Sequence, residues 1–473
     1  MNRLRFQNTF VAAFMAASLS SLPTEAKDVW TSKDGASSLE VNAFYKAFAT
    51  GLRMRSGLVD GSKAIETLVA SVRESLPPEQ ASLVPEVRAI PLYGGTSTHN
   101  ARIWSRLVLR DRFEFLAAWQ LGAIIASDPA FAASASLGSA VPARFTQGAN
   151  RRLVDFDRVI TQESGLVLLN NLDQLAFKVR LSAANLTIGR QVLSWGSGRF
   201  WNPTDLLSPF APTDIDREVR RGIDAFRASI PLAETIQLEV LVLPQLELRN
   251  VGGVLRAQVN VKGFDIAPSV AKYMRDSVIG LDVTGDIGPV GVHGEAAWTS
   301  AFDRDPGQAP ERFLRAVVGA DVRPLDDLVL TGEYYYNGWG ASDTSGYLAV
   351  LRSDRVLRGE VFGAGKHYVG LAASWQASEL LSVAGSVITN VQDPSVLIAP
   401  AIEYWAEQSL LLRFGGYVPI GRAPDVAPLQ QLTPTDLLLQ TDAWRNATRG
   451  FGLRSEYGAS AFGMFVQLAI RLL

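Results

Sequence analysis

The segment Gln174-Leu175-Ala176-Phe177-Lys178-Val179-Arg180-Leu181 decides the fold class of this chain. Its large apolar residues alternate with polar or small ones, so an extended backbone places them on opposite faces. One face is therefore apolar, and the other carries Lys178 and Arg180. A strand with two such different faces belongs to an antiparallel sheet or barrel that separates an apolar environment from water.

The same alternation recurs along the chain and predicts about 18 strands. The lengths of most of these segments are close to the 9–11 residues that a tilted strand needs to cross a bilayer. If the weak pair 254–261 and 264–272 is loop, because the second contains Pro268, the count falls to 16. The predicted strands are 38–54, 101–109, 113–121, 174–181, 186–194, 222–230, 236–243, 254–261, 264–272, 278–283, 290–298, 313–323, 328–336, 368–375, 380–389, 397–405, 410–418 and 462–472.

The connections between these segments alternate between short turns and long loops, and this spacing predicts the architecture. We expect an all-β, transmembrane, antiparallel up-and-down barrel with short periplasmic turns and long external loops, because only closure removes unpaired edges in lipid. The final strand resembles the C-terminal signal of assembled outer-membrane proteins. Within residues 60–90, Ile65, Leu68, Val69 and Val72 follow helical spacing, which predicts a short, solvated surface helix.

The N-terminus has the pattern of a secretory signal peptide. Arg3 and Arg5 precede an apolar stretch, and Thr24-Glu25-Ala26 is a suitable cleavage site. We therefore expect residues 1–26 to be a signal peptide and residues 27–473 to be a single barrel domain in the outer membrane. Its expected partners are outer-membrane lipid, lipopolysaccharide and, during biogenesis, the barrel-assembly machinery.

Composition and motifs exclude several other classes of protein. The net charge of −2 gives no basic surface for nucleic acid, and the absence of cysteine excludes disulfides and Cys–zinc sites. The histidines His99, His293 and His367 lack metal-ligand spacing, and no catalytic or phosphate-binding motif occurs. We expect that the protein is not an enzyme and that it binds no cofactor and no metal.

In a barrel the polar faces of the strands line the lumen, and several cations fall on alternate early strands. They predict a locally basic wall that favours anionic or polar solutes. The alternative is that these charges pair across strands and only fill a polar interior. The cations of the predicted wall are Arg102, Arg106, Lys178, Arg180, Arg227 and Arg256.

The stretch after the fifth predicted strand is rich in Gly, Pro and aromatic residues. We predict that residues 195–221 fold into the lumen, as a constriction or gate or as a structural plug. Arg190 has the same parity as apolar Leu186 and Ile188, so a bulge or the strand end is expected to intervene there. The residues of the predicted constriction and its motif are Arg190, Trp195, Arg199, Trp201, Asn202, Pro203, Asp205, Arg217, Arg220 and Arg221.

Arg190-Gln191, Trp195-Gly196 and Asn202-Pro203 form a GRQ…WG…NP pattern that resembles bacterial outer-membrane porin-like barrels, including alginate-export and capsule-assembly types. The resemblance implies a barrel that handles hydrophilic solutes, among them acidic saccharides. The leading expectation is passive passage of small hydrophilic solutes. The alternatives are a barrel for export or binding of surface polysaccharide, and a structural barrel with a plugged lumen.

Overall fold

The computed structural model describes residues 27–128, 152–154, 156–163, 165–214, 217, 219–301, 312–448 and 452–472, so the predicted signal peptide lies outside the described residues. Within them the chain forms antiparallel strands joined largely in sequence order. The strands are β1 (Lys27–Thr31), β2 (Ser38–Arg53), β3 (Tyr93–Leu109), β4 (Phe113–Ala126), β5 (Arg158–Glu163), β6 (Leu166–Arg180), β7 (Asn185–Gln191), β8 (Ile223–Ala233), β9 (Ile236–Leu243), β10 (Gly252–Val261), β11 (Phe264–Tyr273), β12 (Asp276–Ile287), β13 (Val290–Ala301), β14 (Arg312–Leu325), β15 (Leu328–Asn337), β16 (His367–Gln376), β17 (Leu381–Asn390), β18 (Ser395–Glu407), β19 (Leu410–Ile420) and β20 (Phe462–Arg471).

The sheet closes on itself, because β2 pairs with β3 on one side and with β20 on the other. The short strands β1 and β5 each pair with only one end of β2 and β6, respectively, so the barrel proper has 18 strands. The predicted all-β barrel and its higher strand count are confirmed. The uncertain pair forms β10 and β11: Pro268 keeps its place in the ladder with β12, while the ladder with β10 is interrupted there.

The two faces of the barrel wall separate as the alternation predicts. Outward side chains such as Ile103, Phe115 and Leu175 are among the exposed large hydrophobic residues, whereas inward acids such as Glu295 and Glu333 are buried. An apolar band around a closed barrel is what hydrocarbon solvates, and the outward Trp298 and other exposed aromatic residues fit an interfacial belt. No helix in the described part of the chain has the length and apolar character needed to cross a membrane.

The helices of the described residues lie in the long loops, at the end of the barrel opposite the tight turns, and all but the first are short. Two 3-10 turns, Leu248–Asn250 and Thr344–Gly346, lie at the same end. The helices are α1 (Ser56–Ser75), α2 (Pro78–Ala81), α3 (Tyr347–Leu351), α4 (Asp354–Leu357), α5 (Ala427–Gln430), α6 (Pro434–Leu439) and α7 (Asp442–Thr448).

Helix α1 corrects the prediction of a short, solvated helix. It is 20 residues long, and its apolar stripe, which includes Leu68, Val69 and Val72, is buried. It packs against α5 and α6 of the loop between β19 and β20. The helical spacing of the sequence is confirmed, but the partner of the helix comes from a loop more than 350 positions later, which local spacing cannot reveal.

Gly61 provides a test of this loop–loop contact. A Cβ at Gly61 would lie 2.9 Å from Cγ1 of Val426 and 3.5 Å from Leu429, so Gly61→Val is expected to push α1 away from α5. Overpacking of this kind costs about 1–3 kcal/mol. We expect faster limited proteolysis of both loops in the refolded barrel. Ala70→Val, on the exposed side of α1, is the control, and equal proteolysis of the two variants would contradict the packing.

Candidate functional site

The loop that joins β7 to β8 leaves the wall and enters the lumen, and two glycines permit its path. Gly196 has a φ of +91°, and a Cβ there would lie 2.6 Å from Oδ1 of Asn202 and 2.7 Å from Oε1 of Glu295. A Cβ at Gly198 would lie 1.9 Å from the carbonyl oxygen of Trp201. Only glycine fits where this loop, residues 192–222, turns tightly against the barrel wall. We call the described residues of this loop the constriction loop, after the role that the sequence predicts for it.

Glu295 on β13 binds the first part of the constriction loop. Its Oε1 accepts hydrogen bonds from the backbone N–H groups of Ser197 at 2.8 Å and Gly198 at 2.9 Å. Its Oε2 accepts from both the backbone N–H at 3.0 Å and the hydroxyl at 2.7 Å of Thr204. Since Ser197 Oγ also donates to Oδ1 of Asp282 at 2.5 Å, two wall acids hold this turn.

Glu333 on β15 binds the next part of the constriction loop. Its carboxylate accepts from the backbone N–H groups of Arg199, Phe200 at 2.9 Å and Trp201 at 3.3 Å. Nε2 of His293 lies 2.8 Å from the same carboxylate. These loop N–H groups have no strand partner, so a buried carboxylate supplies the acceptor that a sheet would otherwise provide.

Aromatic packing extends the contact across the lumen. The Trp201 ring stacks on Tyr335 at 5.1 Å and also contacts Phe200 and Tyr368. Further along, Tyr417 on β19 donates to the carbonyl oxygen of Thr213 at 2.8 Å. The loop therefore starts at β7 and reaches the opposite wall at β19.

An internal ion pair closes the second half of the loop. Nη1 of Arg220 lies 2.5 Å from Oδ2 of Asp205 and donates to the carbonyl oxygen of Ser208 at 2.7 Å. Burial raises the pKa of Asp205, and the Arg220 charge opposes that shift. The Arg221 carbonyl oxygen accepts from the Ser208 hydroxyl at 2.9 Å, so this part of the loop is tied to itself.

A cleft remains between the constriction loop and the wall formed by β15 to β19. Its volume is about 290 Å³. The loop side presents Arg199, Asp214 and Arg217, and the far wall presents Glu403 and Arg413. Small side chains cover much of the wall between these charged residues. They lie on predicted strands, but the sequence pattern did not assign them to a site. These residues are Ala372, Ala373, Ser374, Ala384, Gly385, Ser386, Ala399 and Ala401.

The predicted loop residues therefore divide into two groups. Only Arg199 and Arg217 line the cleft. Arg199 is paired with Asp321 at 3.0 Å, and Arg217 donates to carbonyl oxygens, including that of Pro212 at 2.9 Å. The others stabilise the loop or its contacts with the wall, as when Trp195 donates to Glu239 at 3.1 Å. This second group is Trp195, Trp201, Asn202, Pro203, Asp205, Arg220 and Arg221.

Arg190 lies apart from the loop and corrects the expectation that a bulge or the strand end intervenes before it, since β7 continues to Gln191. The register of β7 with β8 is unbroken, so Arg190 continues the outward face of Ile188 and pairs with Asp224 at 2.8 Å. The backbone N–H of Leu153 donates to the same carboxylate at 2.8 Å, and Arg190 donates to the Val154 carbonyl oxygen. A segment from another external loop thus covers a charged pair that would otherwise face outward.

The six cations of the predicted basic wall all have acidic partners. Glu114 pairs with three of them, and Glu239 and Asp282 each pair with one more. This arrangement is the cross-strand pairing that was the alternative to a basic wall. The pairs are Arg102–Asp173 at 2.7 Å, Arg106–Glu114 at 2.9 Å, Lys178–Glu114 at 3.8 Å, Arg180–Glu114 at 2.5 Å, Arg227–Glu239 and Arg256–Asp282 at 3.8 Å.

No family model and no curated protein matches the sequence. Among solved structures, the chain is similar to a BenF-like porin from Pseudomonas fluorescens Pf-5, with 9% identity over 92% of this chain and 98% of that chain and a TM-score of 0.49. It is similar to OccK2 (OpdF) of Pseudomonas aeruginosa in complex with glucuronate, with 9% identity over 92% and 96% and a TM-score of 0.49. OccAB3 of Acinetobacter baumannii gives 8% identity over 92% and 98% and a TM-score of 0.48.

Proposed function

We propose that this protein is an outer-membrane channel for passive passage of small hydrophilic solutes. The observation that carries the proposal is the cleft of about 290 Å³ between the constriction loop and the wall, because it is lined by charged and small side chains. Barrels of this size enclose an aqueous lumen, and an inward loop narrows it. The apolar outer band and the closed sheet place such a barrel in a membrane.

We further propose a preference for anionic solutes, with acidic saccharides as one class. Three of the described lining residues are arginines and two are acids, so the lining itself has one more positive than negative side chain. Its volume lies near the lower end of small-molecule pockets, which favours single small solutes over a polysaccharide chain. The resemblance of the GRQ…WG…NP stretch to alginate-export and capsule-assembly barrels remains the reason to keep polysaccharide export as the second candidate.

Planar-bilayer recording of the purified, refolded protein tests the proposal. Stable ohmic steps, with a reversal potential displaced towards chloride in a KCl gradient, are expected. A folded barrel, identified by heat-modifiable migration on gels, that gives no conductance would overturn the channel and leave the plugged barrel.

The cleft arginines are expected to set ion preference. Replacing Arg199 and Arg217 with Ala leaves the two lining acids opposite Arg413 alone, so the reversal potential is expected to move towards potassium. Arg445→Ala, at an exposed position on α7, is the control. Arg220→Ala instead removes the partner of buried Asp205, and we expect noisier steps with little change of selectivity. Unchanged selectivity in the double variant would show that the cleft is not the conducting path.

A further inference from the structure

A hydrogen-bonded relay of three side chains lies on the outer face of β2 and β3, away from the channel. Ser97 Oγ lies 2.9 Å from Nε2 of His99, and Nδ1 of His99 lies 2.6 Å from the hydroxyl of Tyr45. The Tyr45 and His99 rings stack at 6.2 Å. A hydroxyl hydrogen-bonded to one imidazole nitrogen, with the other nitrogen oriented by a third group, is the arrangement of an activated nucleophile.

The strand register places this relay on the lipid-facing side. Ser97 and His99 lie an even number of positions before Ile103 on β3, so they share its face of the strand. Ile103 is 49% exposed on the outer face. Val466, 45% exposed, pairs with Ala49, the neighbour of Ser97 on β2. An ionisable side chain rarely faces lipid without a function, because its polar atoms must be satisfied there.

The relay lies at the depth of lipid ester bonds. Strand β3 begins at Tyr93, at the end with the long loops, and runs to Leu109 at the turn. A tilted strand rises by roughly 2.5 Å per residue, so His99, ten positions before Leu109, lies roughly 25 Å from that turn. The apolar band of such barrels is about 25 Å tall, so His99 lies at its far edge. Acyl chains join their head groups at this level.

The surroundings leave Ser97 accessible. The lateral neighbours of His99 are Ala47 and Ala123, and those of Ser97 are Ala49, which is exposed, and Ile125 on β4. The three alanines extend no further than one methyl group, so Ser97 is open on the side of β2 and is bordered by a larger side chain on the side of β4. Ser97 and His99 are themselves partly exposed, so an ester in the outer leaflet can approach the Ser97 hydroxyl.

We propose that Ser97, His99 and Tyr45 form an esterase site for fatty-acid esters of outer-leaflet lipids. Ser97 Oγ attacks the ester carbonyl carbon while its proton passes to Nε2 of His99. The bond to the alcohol oxygen then breaks, His99 returns the proton to that oxygen, and the acyl group stays on Ser97. Water, deprotonated by His99, attacks the acyl-serine and releases the free fatty acid and the restored hydroxyl.

Tyr45 is a positioning residue in this scheme. When Nδ1–H donates to the Tyr45 oxygen, Nε2 is left unprotonated and able to accept from Ser97. The backbone N–H groups of β3 are engaged in ladders with β2 and β4, so the oxyanion takes hydrogen bonds from interfacial water. We therefore expect slow turnover.

A fluorophosphonate probe and fatty-acid release test the proposal on the full-length, refolded barrel. Mass spectrometry is expected to find the probe on Ser97, and labelling to disappear in Ser97→Ala. Ser105→Ala, an outward serine of the same strand without a histidine partner, is the control and should label normally. A folded, conducting barrel in which Ser97 stays unlabelled would overturn the proposal while leaving the channel intact.

Two kinds of vesicle show whether the substrate is a phospholipid or lipopolysaccharide. Vesicles of phospholipid alone and vesicles whose outer leaflet contains lipopolysaccharide are compared for released fatty acid, and release from either is expected to fall about 10²-fold or more in His99→Gln. His367→Gln is the control, since His367 also pairs with an outward tyrosine, Tyr334, at 2.7 Å. Tyr45→Phe is expected to shift the pH profile of release, which a merely structural role would not do. If neither kind of vesicle releases fatty acid, the proposed esterase site is also overturned.

Discussion

Replacing Glu295 and Glu333 together with Gln is expected to raise the single-channel conductance several-fold and to make it fluctuate. In the native protein the two carboxylates accept the loop N–H groups of Ser197, Gly198, Thr204, Phe200 and others. Glutamine keeps the volume but replaces one acceptor oxygen by an NH₂ donor that faces other donors. Each buried N–H left without an acceptor costs about 1–3 kcal/mol, so the loop is expected to leave the wall and widen the cleft.

The measurement is planar-bilayer recording of the double variant beside Glu114→Gln. Glu114 is also a buried, lumen-facing acid, but its described hydrogen bonds are to Arg106 and Arg180 and not to the constriction loop. The control is expected to keep the native conductance. If the double variant conducts like the native protein, the carboxylates do not hold the constriction.

Glu360→Ala is expected to detach the external loop between β15 and β16. Arg355 bridges Glu360 at 2.8 Å and Asp276 on β12 at 2.7 Å, and Arg358 donates to Glu360 at 2.9 Å. Arg315 lies 3.7 Å from the same buried carboxylate. Without Glu360, Arg355 and Arg358 share Asp276 alone and Arg315 loses its neighbouring carboxylate. Breaking such a buried network costs about 3–5 kcal/mol. Hydrogen exchange across residues 338–366 should rise sharply, whereas Asp354→Ala, at an exposed acid of α4, should leave it unchanged.

The same loop is expected to respond to acid in a defined window. Burial alone raises the pKa of Glu360, but Arg358, Arg355 and Arg315 outweigh it and lower that pKa from its ordinary 4.5 to about 2. A pKa lowered in the folded state contributes stability above the unfolded value, here about 3 kcal/mol, and loses it as pH falls from 4.5 towards 2. The protection factors of residues 338–366, which divide out the intrinsic pH dependence of amide exchange, should therefore be constant between pH 7 and 5 and fall below pH 4.5. A fall in protection already at pH 6 would contradict this assignment.

The constriction loop shows how much of a loop's structure residue types alone can predict. The glycines, prolines and aromatic residues after β7 were sufficient to predict an inward loop, because no simple turn needs them. They could not separate Arg199 and Arg217, which line the cleft, from Arg220, which pairs with Asp205 inside the loop. All three are arginines in one short stretch, and only the path of the backbone distinguishes them.

What the sequence by itself determined was the wall of the barrel. Period-2 alternation is a local property of each strand, so the closed sheet of 18 strands, its inward and outward faces and its tight turns followed from residue order. What only the tertiary structure decided was which groups meet across the lumen and between loops. Glu333 and Phe200 are 133 positions apart, and α1 and α5 are separated by most of the barrel. Such contacts depend on how the closed barrel brings distant segments of the chain together, which no local pattern encodes.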